Sequence, residues 1–214
     1  DHRDLHLSLR RQRQMCIRDR LSLDPQYIND VLEDIKKIGS LTGKEDKAGE
    51  ITRLMSERIE RIKSKCELIP HKPKVLSLEW VDPLMCGGHW VPEMVEIAGG
   101  VNCFGDKDTG SFKLDWQEIL LSEPDVIIFM PCGFDVKRGL EDVEILANKE
   151  GWNSIPAVMN NQVYVIDASA YTSRSGPRLV TGLEIMAEMI HPEIFSGCIP
   201  ESGALKLYGD LTKS

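Results

Sequence analysis

The sequence has 214 residues, 42% of them hydrophobic and 28% charged, the balance of a globular protein with room for one good-sized core. No apolar run approaches the roughly 20 residues of a membrane-spanning helix, and a formal net charge of -8 argues against nucleic acid as the main partner. The charge is uneven: residues 1–20 carry +3, from six Arg and three Asp, and the rest of the chain carries -11.

Residues 1–20, DHRDLHLSLRRQRQMCIRDR, lack the apolar segment of a signal peptide. Their run SLRRQRQMCIRDR resembles a translated sequencing-library adapter, so 1–20 is read as a non-native segment and set aside. LSL (21–23) has the look of a short strand. Asp24-Pro25 then suits a helix start, as cap and first helical residue. Ile28, Val31, Leu32, Ile35 and Ile38 follow at helical spacing, with Gly39 or Gly43 to end the helix. A second helix is expected over 45–68, where Ala48, Ile51, Met55, Ile59, Ile62 and Cys66 form one apolar stripe. Pro70 and Pro73 mark a boundary after it.

From Lys74 the pattern alternates. KVLSLEW (74–80) predicts a strand, and a helix after His89 ends at Gly99-Gly100. Asp115 with Glu118 three residues later forms a capping box for the next helix. DVIIFM (125–130) is a continuous apolar run, the mark of a strand covered on both faces. A helix near 139–149, a strand at QVYVIDA (162–168) and a helix opened by Ser175 and Pro177 and closed by His191-Pro192 complete the series. The expected fold class is α/β: a three-layer, mainly parallel lobe over 73–197, preceded by a long helix (45–69). Residues 21–44 then read as the remnant of a first lobe, and 198–214 as a peripheral tail.

Ligands of open α/β sheets bind beyond the carboxyl ends of the strands. Those ends lead here to Trp80, Asp82, His89 and Trp90; to Cys132, Gly133 and Phe134; and to Ser169, Tyr171 and Arg174. Four of the chain's thirteen aromatics fall there, which suits a large, partly apolar ligand, although an aromatic at a strand end is also ordinary core. His89 and Glu93 equally suit the first turn of a helix. Glu79, Asp82, Cys86 and His89 permit zinc by spacing but lack a second close Cys or His, and a nucleophilic Cys132 would need His89 as its base. Cys16, Cys66, Cys86, Cys103, Cys132 and Cys198 include no C-x-x-C pair and read as small packed residues. No G-x-G-x-x-G follows the first strand, and no phosphate-binding G-x-x-x-x-G-K-[ST] occurs.

Three stretches, EWVDPLMCGGHWVPEMVEIAGG, LDWQEILLSEPDVIIFMPCGFD and SRSGPRLVTGLEIMAEMIHPEIF, together resemble the carboxy-terminal lobe of ABC-importer substrate-binding proteins of the iron-siderophore/vitamin B12 class, above all the cobalamin-binding branch. The resemblance spans about 21–195. It implies two α/β lobes joined by one long helix, the class III bilobal architecture, with the ligand between them. It implies an extracytoplasmic, monomeric, non-enzymatic protein without a cofactor of its own. Its partners would be a corrinoid ligand and an ABC permease with its ATPase, and it would meet the membrane only through the permease or an anchor. Trp80, His89, Trp90, Cys132, Gly133, Phe134, Tyr171 and Arg174 would face the ligand. Glu118, or Gln117 beside it, would meet permease arginines. The amino-terminal lobe of that architecture is missing from this sequence, so the chain alone is expected to bind ligand weakly or not at all. A ferric siderophore or haem is the alternative within the class. A metal- or Cys-dependent enzyme centred on Cys86, His89 and Cys132 is the alternative outside it.

Overall fold

A computed structural model of the chain describes residues 21–105 and 109–207; the adapter-like segment 1–20 and the end of the tail lie outside the described residues. Helix α1 (Ile28–Thr42) and helix α2 (Glu45–Cys66) come first and pack as a hairpin. Gly43 makes the turn possible: it sits at φ 63°, a conformation glycine adopts without strain. The expected strand at 21–23 does not form, because no strand lies beside it to pair, and Leu21 and Leu23 stay exposed. Helix α1 also begins later than Asp24-Pro25. Asp30 accepts the backbone N–H groups of Gln26 and Tyr27, both at 3.0 Å, which places the cap at Tyr27 and leaves 24–26 free to run toward the sheet.

The sheet follows. Its strands are β1 (Lys74–Val81), β2 (Leu84–Cys86), β3 (Val101–Asn102), β4 (Val126–Phe129), β5 (Val163–Ile166) and β6 (Ala204–Leu207). Their order is β2-β1-β4-β5-β6. Strand β3 pairs with the start of β1, on the edge whose other end takes β2. The pairs β1–β3, β1–β4 and β4–β5 are parallel, while β2 and β6 join antiparallel. The tail from 198 is therefore not wholly peripheral. Its β6 completes the sheet, and Glu188 holds the approach by accepting the N–H groups of Cys198 and Ile199 at 2.5 and 3.0 Å.

Helices cover both faces: α3 (Val91–Ile97), α4 (Trp116–Ser122), α5 (Val136–Ala147), α6 (Pro156–Met159), α7 (Ala168–Tyr171) and α8 (Arg178–Ile190). Helix α5 starts three residues before the expected 139, since Asp135 caps it by accepting the Arg138 N–H at 2.9 Å. Along β4 and β5 the residues alternate between two cores. Val126, Ile128, Tyr164 and Ile166 face α1, α2, α3 and α8, whereas Ile127, Phe129, Val163 and Val165 face α4, α5 and α6. On the first face, Arg58 of α2 clasps Glu184 of α8 through two nitrogens at 2.9 and 2.6 Å, and also reaches Thr181. That two-pronged pairing fixes the angle of the long helix against the lobe.

Candidate functional site

The parallel strands β1, β4 and β5 end on one side of the sheet, and three loops leave from there. The loop after β1 returns as β2, then passes Gly87-Gly88 to His89 at φ 54°, a region that few non-glycine residues adopt. Gly88 is required by close approach: a Cβ there would lie 2.2 Å from the Ser111 nitrogen. Pro131 to Phe134 leave β4, and Asp167 to Arg174 leave β5. The Gly133 N–H donates to Ser173 Oγ at 3.1 Å and ties these last two loops together.

Two hollows lie side by side on this end. One, of about 250 Å³, is lined by Glu79, His89, Trp90, Met130, Cys132, Thr172 and Ser173, among others. The other, of about 350 Å³, is lined by Gly133, Asp135, Asp167, Ser169, Ala170, Arg174 and Arg178. Trp90 stands half-buried as a wall, its indole N–H donating to the Thr172 carbonyl at 2.9 Å. The half-buried Trp80 lies against Phe134, ring centres 5.3 Å apart, and Arg138 covers the Phe134 ring at 4.6 Å. Cys132, Gly133 and Arg174 are exposed.

Seven of the eight residues expected to face a ligand thus gather at this end. Tyr171 differs. Its side chain packs on the core with its ring beside Gly203, and like Trp80 and Phe134 it lines neither hollow. Sequence reasoning passed over Thr172, Ser173, Asp135 and Asp167, although all follow strand ends. It also missed Gln26, whose Oε1 lies 2.8 Å from His89 Nδ1 across 63 positions of sequence. Glu118 and Gln117 are exposed at the start of α4. Glu118 accepts the Asp115 N–H at 3.1 Å, and Gln117 donates its own N–H to Asp115 Oδ1, so both belong to the capping box.

Of the three residues of a Cys-centred alternative, His89 and Cys132 line the same hollow, while Cys86 does not. Cys86 is buried, its thiol directed at the Phe112 carbonyl, and burial pushes its pKa up, away from the thiolate a nucleophile needs. Among the described residues no three His, Cys, Asp or Glu side chains converge as metal ligands. No helix among them is long and apolar enough to cross a membrane.

Comparison with known proteins adds a family model, three relatives and a solved structure. A family model described as periplasmic binding protein matches residues 20–170. An uncharacterized ABC transporter substrate-binding lipoprotein of Bacillus subtilis, YvrC, is 28% identical over 177 residues, covering 80% of this chain and 53% of that protein. A vitamin B12-binding protein of Vibrio cholerae is 27% identical over 101 residues, covering 45% and 32%. The high-affinity heme uptake protein IsdE of Staphylococcus aureus is 26% identical over 143 residues, covering 63% and 47%. The crystal structure of IsdE with heme matches with a TM-score of 0.69 at 18% identity, over 79% of this chain and 67% of that one. The chain spans about half or less of the length of these curated relatives.

Proposed function

Because the chain belongs to the periplasmic binding protein family, we propose that it is the solute-binding part of an ABC importer and that its solute is cobalamin or a related corrinoid. The observation that carries this reading is the aromatic wall at the strand ends. Trp80, Trp90 and Phe134 remain only half-buried at this end of the sheet, Trp90 lining the first hollow, next to a second hollow lined mainly by polar side chains. A corrin is a broad, amphipathic disc. Aromatic faces cover its apolar surface, while Arg174 and the exposed Gly133 suit the amides of its rim. Few cations face the hollows, Arg174 and Arg178 beside Asp135 and Asp167. That charge balance favours a neutral amide-rich rim over a strongly anionic ferric chelate. The nature of the relatives supports a location outside the cytoplasm and a role as a binding component, with a permease and its ATPase as partners. Glu118 is the candidate contact for the permease. The facing wall of the cleft is assigned to sequence corresponding to the part of the relatives that this chain does not span.

Titration with cyanocobalamin, haemin and a ferric hydroxamate, followed by quenching of tryptophan fluorescence, tests the assignment. The corrinoid should bind best of the three, though weakly. Tighter binding of haemin or the ferric chelate would transfer the assignment to that ligand, and submicromolar cobalamin binding would refute the need for a second wall.

A further inference from the structure

Behind His89 stands a relay that a mere wall residue does not require. The Gln26 amide nitrogen donates to Asp24, to its carboxylate at 3.1 Å and its carbonyl at 3.4 Å. This fixes which end of the amide is which, so Oε1 faces His89 Nδ1 at 2.8 Å. An amide oxygen only accepts, so Nδ1 carries the proton. The ring's other nitrogen, Nε2, has no hydrogen-bond partner among the described residues, and His89 lines the cleft hollow. The segment that supplies Gln26 is itself pinned, by the Ile28 N–H donating to Glu93 Oε2 at 2.7 Å. His89 is meanwhile held at φ 54°, a conformation the surroundings must enforce.

A histidine whose outer nitrogen is oriented by an acceptor on its inner one is the arrangement that metal-binding imidazoles use. The geometry points to His89 Nε2 as an axial ligand for the metal of a bound macrocycle, with Gln26 as the residue that sets its tautomer and aim. This rests on the cleft being a tetrapyrrole site and extends it. The ligand class becomes a metallocorrinoid, or a like macrocycle, with one exchangeable axial position. Binding replaces a metal-bound water by Nε2. The water leaves, Nδ1–H keeps its proton, and the metal keeps its oxidation state. One donor on one face suffices, so no cluster of protein ligands is needed. Cys132 lines the same hollow and is the competing donor, but no hydrogen bond among the described residues orients its thiol as Gln26 orients the imidazole.

The probe is aquocobinamide, which carries exchangeable water on cobalt, titrated to saturation against the chain. Tryptophan quenching reports entry into the cleft, and the visible spectrum reports the axial ligand. The wild-type complex should show a nitrogen-ligated spectrum. His89→Ala should bind more weakly and keep the aquo spectrum. Gln26→Ala should keep the nitrogen-ligated form with roughly tenfold to hundredfold lower affinity, and Gln26→Glu, which retains an acceptor opposite Nδ1, should recover most of it. Quenching with an unchanged aquo spectrum in the wild type overturns the ligation while leaving the cleft assignment intact. Loss of the nitrogen band in Cys132→Ser and not in His89→Ala overturns it as well. Absence of quenching removes the cleft assignment and the ligation together.

Discussion

The middles of β1, β4 and β5 and the loops at their ends are made of similar residues and treat water differently. Ile127, Ile128, Phe129 and Val165 have no exposed surface, each packed from the helices on its own side. At the end of β1 and in the loops that follow β2 and β4, Trp80, Trp90 and Phe134 are only half-buried, and Cys132 is exposed. Large apolar rings left wet at a strand end contribute less to folding than their size allows. The contrast separates residues that hold the sheet together from residues available to a ligand. It also sets the expected scale of each substitution.

The largest effect is expected in the interior. Phe129→Ala removes a fully buried ring between the sheet and the α4–α6 side, and should cost about 3–5 kcal/mol in urea unfolding. A loss under ~1 kcal/mol would mean that the strand middles are not the packed region described. Glu184→Ala comes next. It strands Arg58, half-sheltered between α2 and α8, without its carboxylate, and should cost about 1–3 kcal/mol. If unfolding is unchanged while α2 stays helical, the clasp does not hold the long helix. At the rim, Trp80→Ala should cost about 1 kcal/mol or less, since its ring gives up one tilted contact with Phe134. The same change should weaken cobalamin binding about tenfold, roughly 1.4 kcal/mol. The comparison fails if Trp80→Ala destabilises the fold as much as Phe129→Ala.

How much of this was legible in the sequence follows the same division. DVIIFM and KVLSLEW announced themselves because a strand buried on both faces has few positions where a polar residue is tolerated. The edge strands did not. LMC and VN are too short to show a period, and ALKL was hidden in a tail that only its pairing with β5 organises. Strand ends pointed to the site, because the loops follow directly from elements that were already clear. What stayed hidden depends on contacts between distant positions. No local pattern tells that Gln26 meets His89, or that Tyr171 packs on the core beside Gly203 while its neighbours Thr172 and Ser173 line the hollow.

The cysteines offer the finest test of rim against interior, because a thiol reports its own surroundings. Cys132 is exposed, whereas burial pushes the thiols of Cys66 and Cys103 up to about 11. At pH 8 a thiol with that value is thiolate in about one molecule per thousand. In a Cys16→Ser background, an aromatic disulfide reagent should therefore titrate Cys132 at once. Cys198, half-buried and raised by burial, should follow, and Cys66, Cys86 and Cys103 should react only as the chain opens. Alkali extends the same logic to stability. The folded pKa values of Cys66 and Cys103 lie above a thiol's ordinary 9.0, so the folded state keeps protons that the unfolded state releases. Their contribution is whole below about pH 9 and is lost as the pH rises toward 11. The urea midpoint should accordingly fall between pH 8.5 and about 10.5, and Cys66→Ala should make that fall shallower. Labelling of Cys66 as fast as Cys132 at pH 8 would place the α2 end of the interior in solvent, and the distinction between dry strands and wet rim would not extend to the long helix.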